Sequence, residues 1–262
     1  MLGAIIGDII GSRFERHNHK SKDFELFTDQ CRFTDDTAMT VAIAKALLEC
    51  KGDYTDLSNH AIRCMQEIGQ KYPNAGYGQI FYLWLHKRAS EPYWSYGNGS
   101  AMRVSPVAYA AKSAQECIDL ADAVTNVSHD HPEGMKGAEA TALITFGARS
   151  PLPKQILREL VQTWYYTLDF SIDEIRPTYR FDASCQGSVP QAIEAFLESE
   201  DFEDAIRIAV SLGGDSDTIA AIAGGIAGAY YGVPDDLWQK AAEYLPQEFL
   251  DILEEFEQTY SN

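Results

Sequence analysis

Apolar residues recur at helical spacing in segment after segment of this 262-residue chain. Residues 36–50 place them at positions 39, 43, 46 and 47, and residues 57–70 repeat the pattern. We find no long alternation of apolar and polar residues, the pattern typical of half-buried strands. The spacing predicts further helices over residues 2–12, 114–124, 134–149, 155–168, 190–199, 202–212 and 217–231. The sequence therefore predicts an all-α fold of many short helices in one domain.

The predicted loops are rich in glycine, proline, asparagine and serine. They cover residues 71–78, 91–100, 128–134, 150–153 and 181–190. The polar residues that could carry chemistry fall in these loops or at helix starts, where function tends to concentrate. A chain of this length can bury a substantial core without disulfides or structural metals.

Composition excludes several classes of protein. The formal charge is −18, from 39 acidic against 21 basic residues, which argues against general nucleic-acid binding. Five cysteines, with no CxxC pair, favour a reducing compartment, and we expect a cytoplasmic protein. The uncharged run over residues 219–234 is shorter than the roughly 20 residues that a membrane span needs, so it predicts a buried helix.

Two acidic phrases stand out, Thr-Asp-Asp-Thr at residues 34–37 and Asp-Ser-Asp-Thr at residues 215–218. Each can be explained as a helix start, with Thr34 capping the first and Asp215 or Ser216 the second. However, each also offers only hard oxygen ligands, which suit magnesium, calcium or manganese. Each precedes a helix of small residues, and two such helices could pack with their N-termini side by side. The crowded carboxylates would then need divalent cations for compensation.

The ordered set of motifs resembles the ADP-ribosylglycohydrolase family. The matching phrases are GAIIGDIIGSRFE, FTDDTAMT, AGYGQ, GNGSAMRVSPVA, SHDHPEGMKGAEA and SLGGDSDTIAAIAGGIAGAYYG, which run along nearly the whole chain. No single phrase would be decisive, but their order is specific. The resemblance implies a compact orthogonal multi-helix bundle over residues 1–262. It also implies two divalent cations, Mg²⁺ or Mn²⁺, at the floor of a cleft, and hydrolysis of the bond between ribose C1″ of ADP-ribose and an acceptor.

The resemblance also assigns roles to individual residues. It implies metal ligands at Thr34, Asp35, Asp36, Asp215, Asp217 and Thr218. It implies contacts to substrate from Gly76, Tyr77, Gly78, Asn98, Gly99, Ser100, Met102 and His129. Glu15 matches an acid near the scissile bond, and Glu15, Asp36 and Asp217 are the candidates for proton transfer. Which of them is the base stays open.

Other interpretations compete with this assignment. A catalytically silent module that binds ADP-ribose would keep the fold, but a degenerate member is expected to lose acids, and both acidic phrases and Glu15 are present. A two-metal phosphohydrolase would use the same carboxylates but leave the GNGSAMR and SHDH segments unexplained. The pair His129 and His131 lacks the further ligands of a zinc site. Arg103 is expected to support its loop, and Cys185 to be a packed thiol. The expected partners are an ADP-ribosylated substrate and the ADP-ribose product, with neither a membrane nor nucleic acid in general.

Overall fold

A computed structural model describes residues 1–87, 91–150 and 152–260. Over these residues the chain forms fifteen α-helices and one 3₁₀ turn at Tyr54–Asp56. The α-helices are α1 (Leu2–Gly11), α2 (Asp35–Cys50), α3 (Leu57–Lys71), α4 (Gln79–Leu85), α5 (Gly99–Met102), α6 (Val107–Ala110), α7 (Ala114–Thr125), α8 (Pro132–Ala148), α9 (Lys154–Trp164), α10 (Ile172–Ile175), α11 (Cys185–Glu198), α12 (Phe202–Leu212), α13 (Ser216–Tyr231), α14 (Asp235–Ala242) and α15 (Gln247–Tyr260).

The expected all-α fold is confirmed, and every segment with helical spacing contains a helix. Two boundaries were wrong. Helix α9 ends at Trp164, four residues before its predicted end, and α11 begins at Cys185, inside a predicted loop. The short helices α4, α5, α6 and α10, and also α14 and α15, lie outside the segments for which helical spacing predicted a helix. In the described ranges the only bridge between extended residues joins Gly97 to Ser184.

Helices α1 and α13 form the centre of the molecule and pack along each other more extensively than any other pair. Glycines allow this close approach. A Cβ atom added at Gly7 would lie 2.0 Å from the carbonyl oxygen of Ala220, and one at Gly3 would lie 2.1 Å from that of Gly224. Since no side chain separates the two backbones, the N-terminal end of α13 is held against the C-terminal end of α1.

The other helices surround this pair and share one hydrophobic core. Helices α8, α11 and α12 pack on α13, while α3 and α15 pack on α2. Helix α2 touches α13 through few residues, so these two helices do not pack along their lengths. It is α1 that lies along α13, although the starts of α2 and α13 do meet. Over the described residues, no helix combines the length and apolarity required to cross a membrane.

Candidate active site

Three helix ends meet at the acidic phrases. Asp8, which is fully buried near the end of α1, accepts hydrogen bonds from the backbone N–H groups of Thr34 at 2.9 Å and Thr37 at 3.1 Å. The Thr34 hydroxyl donates to Asp8 Oδ1 at 2.6 Å, and the same hydroxyl oxygen accepts from the Asp36 N–H at 3.2 Å. Thr34 is therefore the predicted cap of α2. Asp8 fixes this first turn from outside the helix.

The carboxylates of Asp8, Asp36 and Asp217 converge from α1, α2 and α13. One oxygen of each lies within 4.8 Å of one oxygen of the other two, and all three residues are buried. Among the described residues, Asp36 Oδ1 and Asp217 Oδ1 have no hydrogen-bond partner. The Thr218 hydroxyl donates to the other oxygen of Asp36 at 3.2 Å, which joins the two acidic phrases directly. The prediction that both phrases belong to one cluster thus has direct geometric support.

Burial raises the pKa of every acid in this cluster. Burial is the first cause for Asp36 and Asp217, whose pKa values lie well above the usual range, and the neighbouring carboxylates add to it. Burial and the charge of Asp8 raise the pKa of Asp35 to about 8. Burial, against a hydrogen bond from Asn98, raises that of Asp215 to about 6. Without cations, the cluster therefore holds protons at neutral pH.

The donor set fits divalent metal ions of the magnesium type. Every donor is a carboxylate or hydroxyl oxygen, which hard cations prefer. The buried oxygens of Asp36 and Asp217 that lack a partner are atoms for which a cation would supply the missing interaction. Asp215 lies beside them, with its Oδ2 accepting from Asn98 Nδ2 at 2.7 Å. Asp8 was not among the predicted ligands, although it belongs to the cluster in space.

A cleft of about 560 Å³ opens above this cluster. That volume lies within the range of roughly 300–1,000 Å³ that is usual for small-molecule sites. All six predicted metal ligands line it, together with six of the predicted substrate contacts. Those contacts are Gly76, Gly78, Asn98, Gly99, Met102 and His129. The structure thus brings most of the predicted site residues into one cavity.

Tyr77 and Ser100 are the two predicted contacts that do not line the cleft. The Ser100 hydroxyl is buried and donates to the carbonyl oxygen of Gly134 at 2.8 Å. Tyr77 packs its ring against Phe81, at 6.0 Å between centroids. Both residues hold the walls of the cleft in place, while the glycines beside them face it.

Glycine is required at one point of the cleft wall. Gly76 has a φ of 115°, in the region that favours glycine, and a Cβ added there would lie 3.2 Å from Asp35 Oδ1. The Asp35 N–H donates to the carbonyl oxygen of the preceding residue, Ala75, at 2.9 Å. The loop at residues 75–78 is therefore joined to the start of α2 and borders the acidic cluster.

His129 lies in the wall of the cleft. It is 4% exposed, its ring edge lies beside Gly97 and Gly99, and its Nδ1 is 2.8 Å from the Ser128 hydroxyl. Burial, with the nearby charge of Arg103, lowers its pKa well below the usual value. His129 is therefore neutral at physiological pH. Arg103 is itself fully buried and also lines the cleft.

Glu15 lies at the rim of the cleft, in the segment after α1. This segment is anchored at several points downstream. Lys20 donates to the carbonyl oxygen of Leu212 at 2.6 Å, and Arg207 donates to those of Lys22 at 2.9 Å and Phe24 at 2.8 Å. The Glu15 carboxylate raises the pKa values of Asp35, Asp215 and Asp217, which places its charge within reach of the cluster.

Comparison with known proteins agrees with this geometry. The family model described as ADP-ribosylglycohydrolase matches residues 1–261. A solved structure described as an ADP-ribosylglycohydrolase-related protein complex has a TM-score of 0.65. That likeness covers 98% of this chain and 96% of that one at 22% identity, so it supports the fold alone.

Curated relatives match this chain over most of their own length. ADP-ribosylhydrolase ARH3 of Homo sapiens is 29% identical, over 93% of this chain and 88% of that protein. The Mus musculus protein of the same name is 28% identical, over 93% and 86%. ADP-ribosylarginine hydrolase Tri1 of Pseudomonas putida (strain GB-1) is 26% identical, over 96% of this chain and 76% of that protein.

Proposed function

Because this chain belongs to the ADP-ribosylglycohydrolase family, we propose that it is a metal-dependent hydrolase that removes ADP-ribose from a modified acceptor. The bond to be cleaved joins ribose C1″ to the acceptor. Two divalent cations, Mg²⁺ or Mn²⁺, are the proposed cofactors. The relatives named as ADP-ribosylhydrolases support the reaction class.

The observation that carries the proposal is the meeting of Asp8, Asp36 and Asp217 under a cleft. Three buried carboxylates destabilise the fold unless something compensates their charge or they take up protons. A purely structural role would not explain why two of their oxygens lack partners among the described residues. Cation binding explains both the burial and the free oxygens.

Cleavage at an anomeric carbon passes through an oxocarbenium-like state and needs an acid at the leaving group and a base on water. Cations bound in such a site supply charge compensation, orient ribose hydroxyls and acidify water. Asp36 and Asp217, at the cleft floor, are the proposed carboxylates for proton transfer. Glu15, at the rim, is the proposed second acid/base group.

The wall that contains Gly97, Gly99 and His129 suits the diphosphate. Gly97 and Gly99 bring backbone into the cleft wall beside the His129 ring. Backbone N–H groups can bind phosphate without net positive charge, which fits a protein of charge −18. The proposed orientation places the reacting ribose over the acids and the diphosphate toward His129.

ADP-ribosylated arginine is the first acceptor to test, since the name of one group of relatives specifies it. Serine-linked and ester-linked ADP-ribose are the next acceptors. The assay measures free ADP-ribose by chromatography after incubating the protein with each modified peptide and Mg²⁺. We expect release by the wild type, and loss of release with EDTA.

Two variants and a matched control sharpen the assay. Asp36→Asn and Asp217→Asn should each reduce release by at least roughly 100-fold, the low end of acid–base and metal contributions. Asp119→Asn makes the same change on an exposed face of α7 and should retain activity. Absence of release from every acceptor, with ADP-ribose still bound, would instead identify a silent ADP-ribose-binding module.

A further inference from the structure

The Ser128 hydroxyl lies between the guanidinium of Arg103, which can only donate hydrogen bonds, and the ring of His129. Arg103 Nη2 donates to Ser128 Oγ at 2.8 Å, and Ser128 Oγ lies 2.8 Å from His129 Nδ1. All three residues are buried, with Ser128 and Arg103 at 0% exposure. We propose that Arg103 and Ser128 are positioning residues that hold His129 in the Nε2–H tautomer, so that it donates a hydrogen bond into the cleft.

The tautomer follows from counting donors and acceptors. A guanidinium only donates, so Ser128 Oγ accepts from Arg103 and keeps its own proton to donate elsewhere. Among the described residues, His129 Nδ1 is the one acceptor that this hydroxyl contacts. If Nδ1 carried the ring proton, the Ser128 hydroxyl would be left as a buried donor without an acceptor, which costs about 1–3 kcal/mol. The satisfied arrangement has Ser128 donating to Nδ1 and the ring proton on Nε2.

Arg103 is fixed firmly enough to impose this direction. Its Nη2 also donates to the carbonyl oxygen of Val124 at 3.1 Å, and its guanidinium lies 5.5 Å from the Phe81 ring centre. The backbone of the pair is fixed as well, because the N–H groups of Ser128 and His129 both donate to the Thr125 carbonyl, at 3.1 and 2.9 Å. Carbonyl groups at the end of α7 therefore hold both Arg103 and the Ser128–His129 pair.

The Nε2 edge of His129 faces the cleft. A Cβ atom added at Gly99 would lie 3.3 Å from Nε2, and one at Gly97 would lie 3.7 Å from it. Nε2 has no hydrogen-bond partner among the described residues, and both glycines line the cleft. A neutral ring with its proton here offers one directed donor. Its partner would be an anionic or hydroxyl oxygen of the ligand, and this step rests on the proposed function.

The direct test is the protonation state of the ring in solution. The protein has six histidines, so we would label them with ¹⁵N and record long-range ¹H–¹⁵N correlations from pH 5 to 8. His129→Gln identifies the His129 signals by their loss. We expect one ring that stays neutral over this range, with a protonated Nε2 and an unprotonated Nδ1. A protonated Nδ1 in the wild type would overturn the proposal.

Variants at Ser128 distinguish the hydrogen-bond chain Arg103–Ser128–His129 from simple packing. Ser128→Ala should give a mixture of tautomers, and Ser128→Thr, which keeps the hydroxyl, should restore the Nε2–H form. Ser105→Ala removes a buried hydroxyl that has no partner among the described residues, and it should leave the His129 signals unchanged. An unaltered tautomer in Ser128→Ala would contradict the proposal.

Binding of ADP-ribose, measured by calorimetry with Mg²⁺, links the tautomer to the ligand. Ser128→Ala should weaken binding by roughly two- to tenfold, the value of one hydrogen bond, with recovery in Ser128→Thr. Weakened binding in Ser128→Thr as well as Ser128→Ala would refute the link to the ligand. If wild-type protein binds no ADP-ribose but shows the expected tautomer, the proposed function is wrong, while the positioning of His129 by Ser128 and Arg103 is confirmed.

Discussion

Replacing Gly7 with alanine tests whether the glycines of α1 build the acidic site. The added Cβ would lie 2.0 Å from the carbonyl oxygen of Ala220, an atom of the α13 backbone that cannot rotate away. Restoring an ordinary contact of roughly 3.5 Å requires the two helices to separate by roughly 1.5 Å. Overpacking of this kind costs about 1–3 kcal/mol, while alanine returns about 1 kcal/mol of helix propensity. Because the clash is with backbone, we expect the upper end of the overpacking cost. The free energy of unfolding should then fall by about 2 kcal/mol in total.

The same shift should reach the metal cluster. Asp8 follows Gly7 directly, and α1 is the element that carries it toward Asp36 and Asp217. Metal sites require their ligands within about 0.5 Å of the productive geometry. Gly7→Ala should therefore weaken Mg²⁺ binding by at least about tenfold, a larger effect than the change in stability alone would suggest.

Urea unfolding and Mg²⁺ titration of the same samples provide the assay. Gly225→Ala is the matched control, since it adds a Cβ on α13 at 3.4 Å from Ala4 Cβ, an ordinary contact. It should be neutral or stabilising by up to about 1 kcal/mol. Gly7→Ala protein as stable as Gly225→Ala, with Mg²⁺ binding unchanged, would refute the close approach of α1 and α13.

Two further predictions concern charge. Because burial raises the pKa values of Asp35 and Asp215 to about 8 and about 6, the folded metal-free protein binds more protons than the unfolded chain. The stability that these two neutral carboxyl groups contribute should thus be fully present below about pH 4 and be lost as pH rises through about 6 and about 8. Saturating Mg²⁺ should flatten this fall in thermal unfolding, and a metal-free midpoint that rises with pH would contradict it. Arg158→Met leaves Glu194, at 3% side-chain exposure, without its two hydrogen bonds of 2.7 and 2.8 Å. It should cost roughly 2–4 kcal/mol in urea unfolding, since Arg158 is partly exposed, with Mg²⁺ affinity unaltered.

The long helices other than α15 could be predicted because their buried faces repeat every three to four residues. The errors arose where a local signal competed with that pattern. The predicted helix began at residue 190, yet Ser184 caps α11 by accepting from the Gly187 N–H at 3.1 Å, and Pro190 lies within the helix. At α9, the buried Tyr166 and Leu168 continue the apolar spacing after the backbone has left the helix at Tyr165.

Helices of four to eight residues could not be predicted in the same way. The four-residue helices α5, α6 and α10 make about one turn each, which is too short for a period of 3.6 residues to be visible. Their positions depend on tertiary contacts. For example, Asn98, at the start of α5, is held by Asp215 on a distant part of the chain.

The acidic phrases could be recognised because their ligand types are adjacent in sequence. Asp8 could not be assigned in this way, although one signal was present: a single charge in an apolar, glycine-rich helix. A buried charge on such a helix needs a partner, and here the partner is the first turn of α2. The contact between Arg103 and Ser128 joins residues 25 positions apart and becomes visible only in three dimensions.

The most direct test of one shared site is calorimetric titration of ADP-ribose into metal-stripped protein, with and without Mg²⁺. The titration is repeated with the variant Asp35→Ala/Asp36→Ala. We predict that binding requires the cation and is lost in the variant, which would place ligand and cations in the same cleft. Binding that is unaffected by both changes would return the two acidic phrases to the role of helix starts and contradict the proposed hydrolase.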